Sequence, residues 1–264
     1  MIKAFNHEDV LCGHGKVKAF GTLMNVFLYN ADGLLIDTGP IRLKSSIDFF
    51  NSREINQVAI THIHEDHSGM AWWLQANKNV PLYLSDISNN EAKNKAKLPL
   101  YRIISWGKRL PFKPLPYADI IETDKHSFQI LNTPGHAEDH VTLYEKQEGW
   151  LFTGDLFLST KEFDCLREEN IPQKIKSLQM LVKLDFDTIF CGHSGVHHKN
   201  GKGKLEEKLD FLLEVQAQTK ELHEKGLGLK EIDKKLFPRK SPVYYVSTGE
   251  WSSYNIINSI INDE

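Results

Sequence analysis

Thr61-His62-Ile63-His64-Glu65-Asp66-His67-Ser68-Gly69 sets four side chains of metal-ligand type within six residues. If the backbone enters this stretch extended, His62 and His64 project to the same side. A turn into a helix at 68–76, with Ser68 as the expected N-cap, then swings Asp66 and His67 inward from another angle. One imidazole pair and one carboxylate–imidazole pair thus face two adjacent centres. Zinc accepts both donor types, and a catalytic zinc site keeps one position open for water.

Three further candidates lie downstream, and each follows an apolar run and a glycine. They are His136 after Thr133-Pro134-Gly135, Asp155 after Phe152-Thr153-Gly154, and His193 after Phe190-Cys191-Gly192. A glycine at a strand end lets the chain turn sharply enough to aim the next side chain into a shared cleft. The repetition carries more weight than any one histidine of the 12 in the chain.

The surrounding pattern is that of a mixed α/β protein. Apolar strands are expected at 24–29 and 34–36, joined through Asn30-Ala31-Asp32-Gly33, a hairpin signal because Asp-Gly tolerates positive φ. Further strands are expected at 58–60, 82–84, 128–131, 141–144, 150–152 and 188–190. Helices are expected at 41–51 and at 172–184, the latter with Pro172 near its first position. From about residue 201 the character turns helical, with Leu205, Leu209, Leu212 and Leu213 on one face and shorter helices at 227–236 and 253–261. This divides the chain into a core, 1–200, and a helical C-terminal region, 201–264.

The chain is 264 residues long, with a formal net charge of -3, which argues against a surface built throughout to grip nucleic acid. Cys12, Cys165 and Cys191 form no disulfide framework and fit a reducing compartment. No apolar run approaches a membrane span, and the N-terminus turns polar too early for a signal peptide. A cytoplasmic protein with no membrane partner is expected; the sequence sets no oligomeric state.

In the order His62-x-His64-x-Asp66-His67, then His136, Asp155 and His193, the chain closely resembles the metallo-β-lactamase superfamily over about residues 20–195. The resemblance implies an αββα four-layer sandwich with its metals at one edge. It implies that His62, His64 and His136 hold one ion, that Asp66, His67 and His193 hold the other, and that Asp155 bridges them. The expected cofactors are two divalent ions, Zn2+ first, with Mn2+ or Fe2+ as the other candidates. Two such ions about 3.5–4 Å apart lower the pKa of a shared water, so that hydroxide is available at neutral pH. Asp155 and Asp66 are then the catalytic carboxylates, Asp66 as the group passing a proton to the leaving group.

Among the remaining histidines, His140 is read as either an orienting partner of the ligand loop or a surface residue. His7, His14, His126, His197, His198 and His223 are read as surface or loop residues, with His197 and His198 close enough in sequence to border the cleft. Asp37 is expected to support the ligand loop through hydrogen bonds. Cys191 is expected to be a buried, inert side chain at a strand end.

The segment 93–113 carries Lys93, Lys95, Lys97, Arg102, Lys108, Arg109 and Lys113, no acid, and the aromatics Tyr101, Trp106 and Phe112. It reads either as an anion-attracting cleft wall or as a solvated helix and loop whose aromatics pack inward. The superfamily's chemistries are diverse, so fold alone does not decide activity. The leading expectation is hydrolysis of a small anionic ester, thioester or lactone. The passage 178–193 looks like that of glyoxalase II, without its recognisable glutathione-binding tail. The alternatives are a single-strand endoribonuclease, whose C-terminal helices the tail resembles and for which aromatics among cations are suited, and a mononuclear iron oxygenase of the persulfide dioxygenase type. A flavodiiron electron-transfer protein is disfavoured, since that pattern has glutamate where His64 stands.

Overall fold

The computed structural model describes residues 2–262; Met1, and Asp263 and Glu264 at the end of the expected C-terminal region, lie outside the described residues. An antiparallel run opens the chain: β1 (Lys3–His7), β2 (Val10–Ala19), β3 (Thr22–Ala31) and β4 (Leu34–Ile36). Asp32 and Gly33, both at positive φ, make the predicted hairpin between β3 and β4. After α1 (Ser46–Asn51), β5 (Gln57–Ala59) and β6 (Leu82–Tyr83) add in parallel, completing a sheet of order β1-β2-β3-β4-β5-β6. Between those two strands lie α2 (Glu65–Ser68) and α3 (Ala71–Lys78); α4 (Asp86–Ala92) and α5 (Leu100–Ser105) follow.

A second sheet forms from β7 (Ile120–Glu122), β8 (Ser127–Asn132), β9 (Val141–Glu145) and β10 (Trp150–Gly154). The short strand β11 (Cys165–Leu166) and helix α6 (Ile171–Leu181) then carry the chain to β12 (Thr188–Cys191) and β13 (Gly195–His197). Strand β12 pairs parallel to β10, which gives the order β13-β12-β10-β9-β8-β7. The C-terminal part holds α7 (Gly201–Glu224), α8 (Leu229–Leu236), α9 (Pro242–Val246), β14 (Trp251–Ser252) and α10 (Ser253–Ile261).

The two-residue period of the strands explains the layering. Phe27 and Tyr29 face the second sheet while Leu28 between them faces the helices; Leu34 and Ile36 alternate in the same way with Leu35. On the second sheet, Phe152 and Phe190 point inward, and Leu151, Ile189 and Cys191 point outward. The inner faces make one cluster between the sheets. Phe49, Phe50, Ala71 and Leu74 cover the first sheet, while Ile175, Leu178, Leu205, Leu212, Ile256 and Ile260 cover the second. The result is an αββα sandwich. The C-terminal helices share a cluster with Leu151 and Ile189, and β14 pairs with β11, so this region is packed into the outer helical layer.

Two expected helices differ from those observed. The one expected at 41–51 is helical only from Ser46, because Leu43 N and Ser46 N make turn hydrogen bonds to Pro40 O and Leu43 O. The Ser46 hydroxyl also donates to Leu43 O at 2.7 Å, a side-chain bond that competes with helix entry. The helix expected at 68–76 is split. Ser68 does not cap it: its hydroxyl donates back to Ile63 O and His64 O, closing the short turn α2. All three cysteines are buried and free. Among the described residues, no helix is long and apolar enough to cross a membrane.

Candidate metal centre

The ends of β5, β10 and β12 place the site, together with the loops after β8 and β12. His62, His64 and His136 form one group and Asp66, His67, Asp155 and His193 another, the donor atoms within each lying within 4.8 Å of one another. All seven residues singled out in the sequence are therefore brought together. Asp155 lies between the groups. Its Oδ1 is 3.2 Å from His67 Nε2, while its Oδ2 is 3.3 Å from His193 Nε2 and 3.7 Å from His136 Nε2. Asp66 Oδ2 is 3.1 Å from His193 Nε2, and His64 Nδ1 is 3.1 Å from His136 Nε2.

Each of the five histidines turns its other ring nitrogen to an outer partner. His67 Nδ1 donates to Asp37 Oδ2 at 2.7 Å, and His193 Nδ1 to Asn25 O at 2.6 Å. His64 Nε2 donates to Glu168 Oε1 at 2.9 Å, His62 Nδ1 is 3.0 Å from Thr61 Oγ1, and His136 Nδ1 is 3.2 Å from Glu169 Oε2. For the first four, such partners fix ring orientation and leave the inward nitrogen as a lone-pair donor; His136 Nδ1 lies near Glu169 without a hydrogen bond. Inside the cluster, His62 Nε2 is buried with no hydrogen-bond partner, and His67 Nε2 and Asp155 Oδ1 face each other without forming a hydrogen bond. Orphaned donors of this kind at the centre of a His/Asp set fit divalent cations of the zinc type.

The electrostatics agree. Burial would raise the pKa of Asp66 and Asp155, but contact with His193 and the charge of His193 and His67 hold both well below the ordinary carboxylate range. Burial lowers His67 and His193, yet Asp155 with Asp37 beside one and with Asp66 beside the other carries both well above the usual imidazole value. His62 has no carboxylate against it; burial and the surrounding imidazoles push it well below, so it is neutral. The carboxylates of Asp66 and Asp155 thus draw positive charge to His67 and His193, which is the charge a dication would supply in its place.

Two glycines are forced by close approach. A Cβ on Gly192 would lie 2.6 Å from His67 Cε1 and 3.0 Å from Asp155 Oδ1. A Cβ on Gly135, which sits at φ 137°, would collide with the backbone of Lys174 on α6.

His140 is buried, not a surface residue. Its Nδ1 meets Thr133 Oγ1 at 2.9 Å, and its Nε2 accepts from Asp155 N at 3.3 Å, so it orients the loop carrying Asp155. Asp37, at φ 60°, accepts from Thr61 N at 2.8 Å as well as from His67, which is the support expected of it. Cys191 is fully buried, and its Sγ accepts from His193 N and Ser194 N. His126 lies in the loop before β8, one of the two placements expected, but is buried there beside Glu145 and Trp150. His198 does not border the cleft: the chain reverses through β13 and carries it to Thr188, at the start of β12.

Sequence reasoning missed Asn25, Glu168 and Glu169 because they reach the site only through folding. It also missed the role of Arg102. That guanidinium is buried and doubly hydrogen-bonded to buried Glu65, both contacts at 2.7 Å, with Glu168 3.5 Å away. Arg109 is buried too, donating to Ala92 O and Glu91. Phe112 packs in the core, and Trp106 lies 5.8 Å from His193, ring centre to ring centre. The exposed cations of the segment are the five lysines.

A cavity of about 730 Å³ opens beside His64, lined among others by Ser88, Lys95, Lys97, Arg102, Glu138 and Glu250. Its size is in the range of small-molecule sites.

Comparison with known proteins places the chain. The family model described as the metallo-β-lactamase superfamily matches residues 21–193. A hydroxyacylglutathione hydrolase of Bdellovibrio bacteriovorus is 29% identical over 162 residues, 60% of this chain and 55% of that one. A β-lactamase-like protein 2 homolog of Caenorhabditis elegans is 28% identical over 218 residues, 77% of this chain and 65% of that one. The chain thus spans between about half and two thirds of the length of these curated relatives. A β-lactamase domain protein from Burkholderia ambifaria superposes with a TM-score of 0.70 at 16% identity, over 98% of this chain and 87% of that one.

Proposed function

The chain belongs to the metallo-β-lactamase superfamily, and from that premise we propose that it is a metal-dependent hydrolase acting on a small ester, thioester or lactone that carries an anionic group. The observation that carries this reading is Asp155, whose two oxygens face His67 on one side and His193 and His136 on the other. In it, His62, His64 and His136 hold one divalent ion, Asp66, His67 and His193 the second, and Asp155 both; zinc is the first candidate. When bound, the ions supply an activated water and electrophilic stabilisation of an oxyanion.

The chain's own groups do the rest. Asp37, Asn25, Glu168 and Thr61 hold four of the imidazoles in register, so little reorganisation accompanies reaction. Asp66, whose Oδ2 lies 3.1 Å from His193 Nε2, would give one oxygen to the ion, and its other oxygen would take the proton released from water and return it to the departing alkoxide or thiolate.

The cavity narrows the substrate class. Arg102 is engaged by Glu65, and Arg109 by Glu91. Lys95 and Lys97 remain as exposed cations, while Glu138, Glu168 and Glu250 share the lining. A wall of mixed sign suits a small molecule bearing one or two anionic groups and weighs against a polyanion such as RNA. The name of the bacterial relative, a hydroxyacylglutathione hydrolase, supports a thioester first.

The test combines metal analysis of protein purified without added metal with a panel of thioester, lactone and ester substrates, and unstructured RNA at low salt. Two zinc or manganese ions per chain lost on replacing ligands of the His/Asp cluster, and turnover of a panel member, are expected. A single iron, oxygen consumption with a persulfide, or cleavage of RNA alone overturns the reading in favour of an oxygenase or a nuclease.

A further inference from the structure

We propose a separate metal site, formed by His7, Glu8 and His198, that takes one zinc-class divalent cation at the end of the sandwich opposite the His/Asp cluster. The donor atoms of these three side chains lie within 4.8 Å of one another. The two sites are far apart along the same strand. His193 bonds to Asn25 of β3, whereas His7 pairs with Val10, which pairs with Ala31 at the far end of β3. Six residues of extended chain separate these anchor points, about 20 Å.

Three observations favour a cation here over a chance meeting of polar side chains. His7 Nε2 is shielded from solvent and has no hydrogen-bond partner, so the fold withdraws a lone-pair or N–H group from water without compensation. The two imidazoles meet edge to face at 4.8 Å between ring centres, close to the spacing of His62 with His136 and His64 with His136 in the main cluster, both 4.9 Å. The other two ligand-type groups are oriented from behind. Trp150 Nε1 donates to Glu8 Oε2 at 2.8 Å, and Thr188 Oγ1 meets His198 Nδ1 at 3.0 Å. That is the same division seen in the main cluster, one polar atom held by an outer partner and the other left for the ion.

Two imidazoles and one carboxylate are a zinc donor set, with one position left for water. Glu8 sits at φ 51° in the two-residue turn between β1 and β2, the positive φ such a hairpin requires, and that turn holds it next to His7. His7 and Glu8 belong to the first sheet's outer hairpin, and His198 follows the edge strand of the second. An ion there ties the two sheets together across their open end. Its role is structural, because nothing in the cavity beside His64 reaches it.

The test is equilibrium dialysis of full-length protein against Zn2+, comparing wild type with H198Q and with E8Q, folding of each checked by circular dichroism. Wild type is expected to hold one more equivalent than either variant, whatever number the His/Asp cluster takes, and both variants are expected to keep wild-type turnover. Zn2+ is also expected to raise the melting temperature of wild type more than that of H198Q. Equal zinc equivalents in wild type and a folded E8Q or H198Q overturn the proposal. Because the comparison is a difference of one equivalent, it fails or succeeds separately from the reading of the main centre.

Discussion

The carboxylate of Asp37 accepts a 2.7 Å hydrogen bond from His67 Nδ1, and the same carboxylate accepts from the backbone N–H of Thr61, the residue that begins the histidine run. Asp37 therefore braces both ends of the ligand loop from the neighbouring strand end. Replacing it with alanine frees the His67 ring and takes the acceptor from three buried donors, Thr61 N, Thr61 Oγ1 and His67 Nδ1. D37A is expected to lose about 10–100-fold in affinity for the second metal, the range typical of such outer partners. Metal titration against a chromogenic chelator checks this; unchanged affinity means that Asp37 is not a positioning residue.

Gly135 lies against the backbone of Lys174, and its φ of 137° is open only to glycine. G135A must either push α6 away or displace His136. Activity is expected to fall by a factor of about 100 or more, given how steeply catalysis depends on sub-ångström placement. A G135A variant with native metal content and native kcat/KM contradicts the packing described.

Lys95 and Lys97 are the exposed cations of the cavity wall. Their joint change to alanine is expected to raise KM for an anionic substrate about 10-fold, with kcat little affected, and to leave a neutral analogue unchanged. An equal effect on both substrates removes the lysines from recognition.

Glu162 joins α6 to α7 through Lys174 and Lys208, at 2.7 and 2.6 Å. Burial raises its carboxyl, but the two ammonium groups dominate and hold it down at about 2. A carboxyl depressed on folding contributes stability that is complete above its unfolded value, near 4.5, and is lost as pH falls towards 2. The shift corresponds to about 3 kcal/mol. E162Q is therefore expected to be less stable by about that amount at pH 7, with the gap closing below pH 4. Urea unfolding at pH 7, 4 and 3 measures it; a pH-independent gap refutes the linkage.

The metal-ligand candidates were legible in the sequence because their signal is local. Alternating apolar residues specify a strand, a glycine ends it, and the next side chain is of ligand type. That grammar marks His136, Asp155 and His193, and the crowding of His62, His64, Asp66 and His67 into six residues marks the other four; both signals depend on near neighbours only. The local pattern reached only a mixed α/β protein, and the αββα layering came with the resemblance to the superfamily; the structure then shows the alternation behind it, Leu28, Leu35 and Val58 on one face and their neighbours on the other. Ser68 misled because a hydroxyl beside a helix reads as a cap, whereas here it finds closer carbonyls behind it.

Tertiary structure alone decided which groups stand behind the ligands and which charges are free. Glu168 meets His64 across 104 positions, and Asn25 meets His193 across 168. Arg102 and Arg109, counted in the sequence as part of a basic segment, are neutralised by Glu65 and Glu91, which it lists elsewhere. Charge pairing and hydrogen bonding act through space at a few ångströms, and a chain's order does not encode which distant carboxylate will arrive there. His198 shows the same limit: close to His193 in sequence, it is turned away by β13 and joins His7 at the opposite end of the molecule.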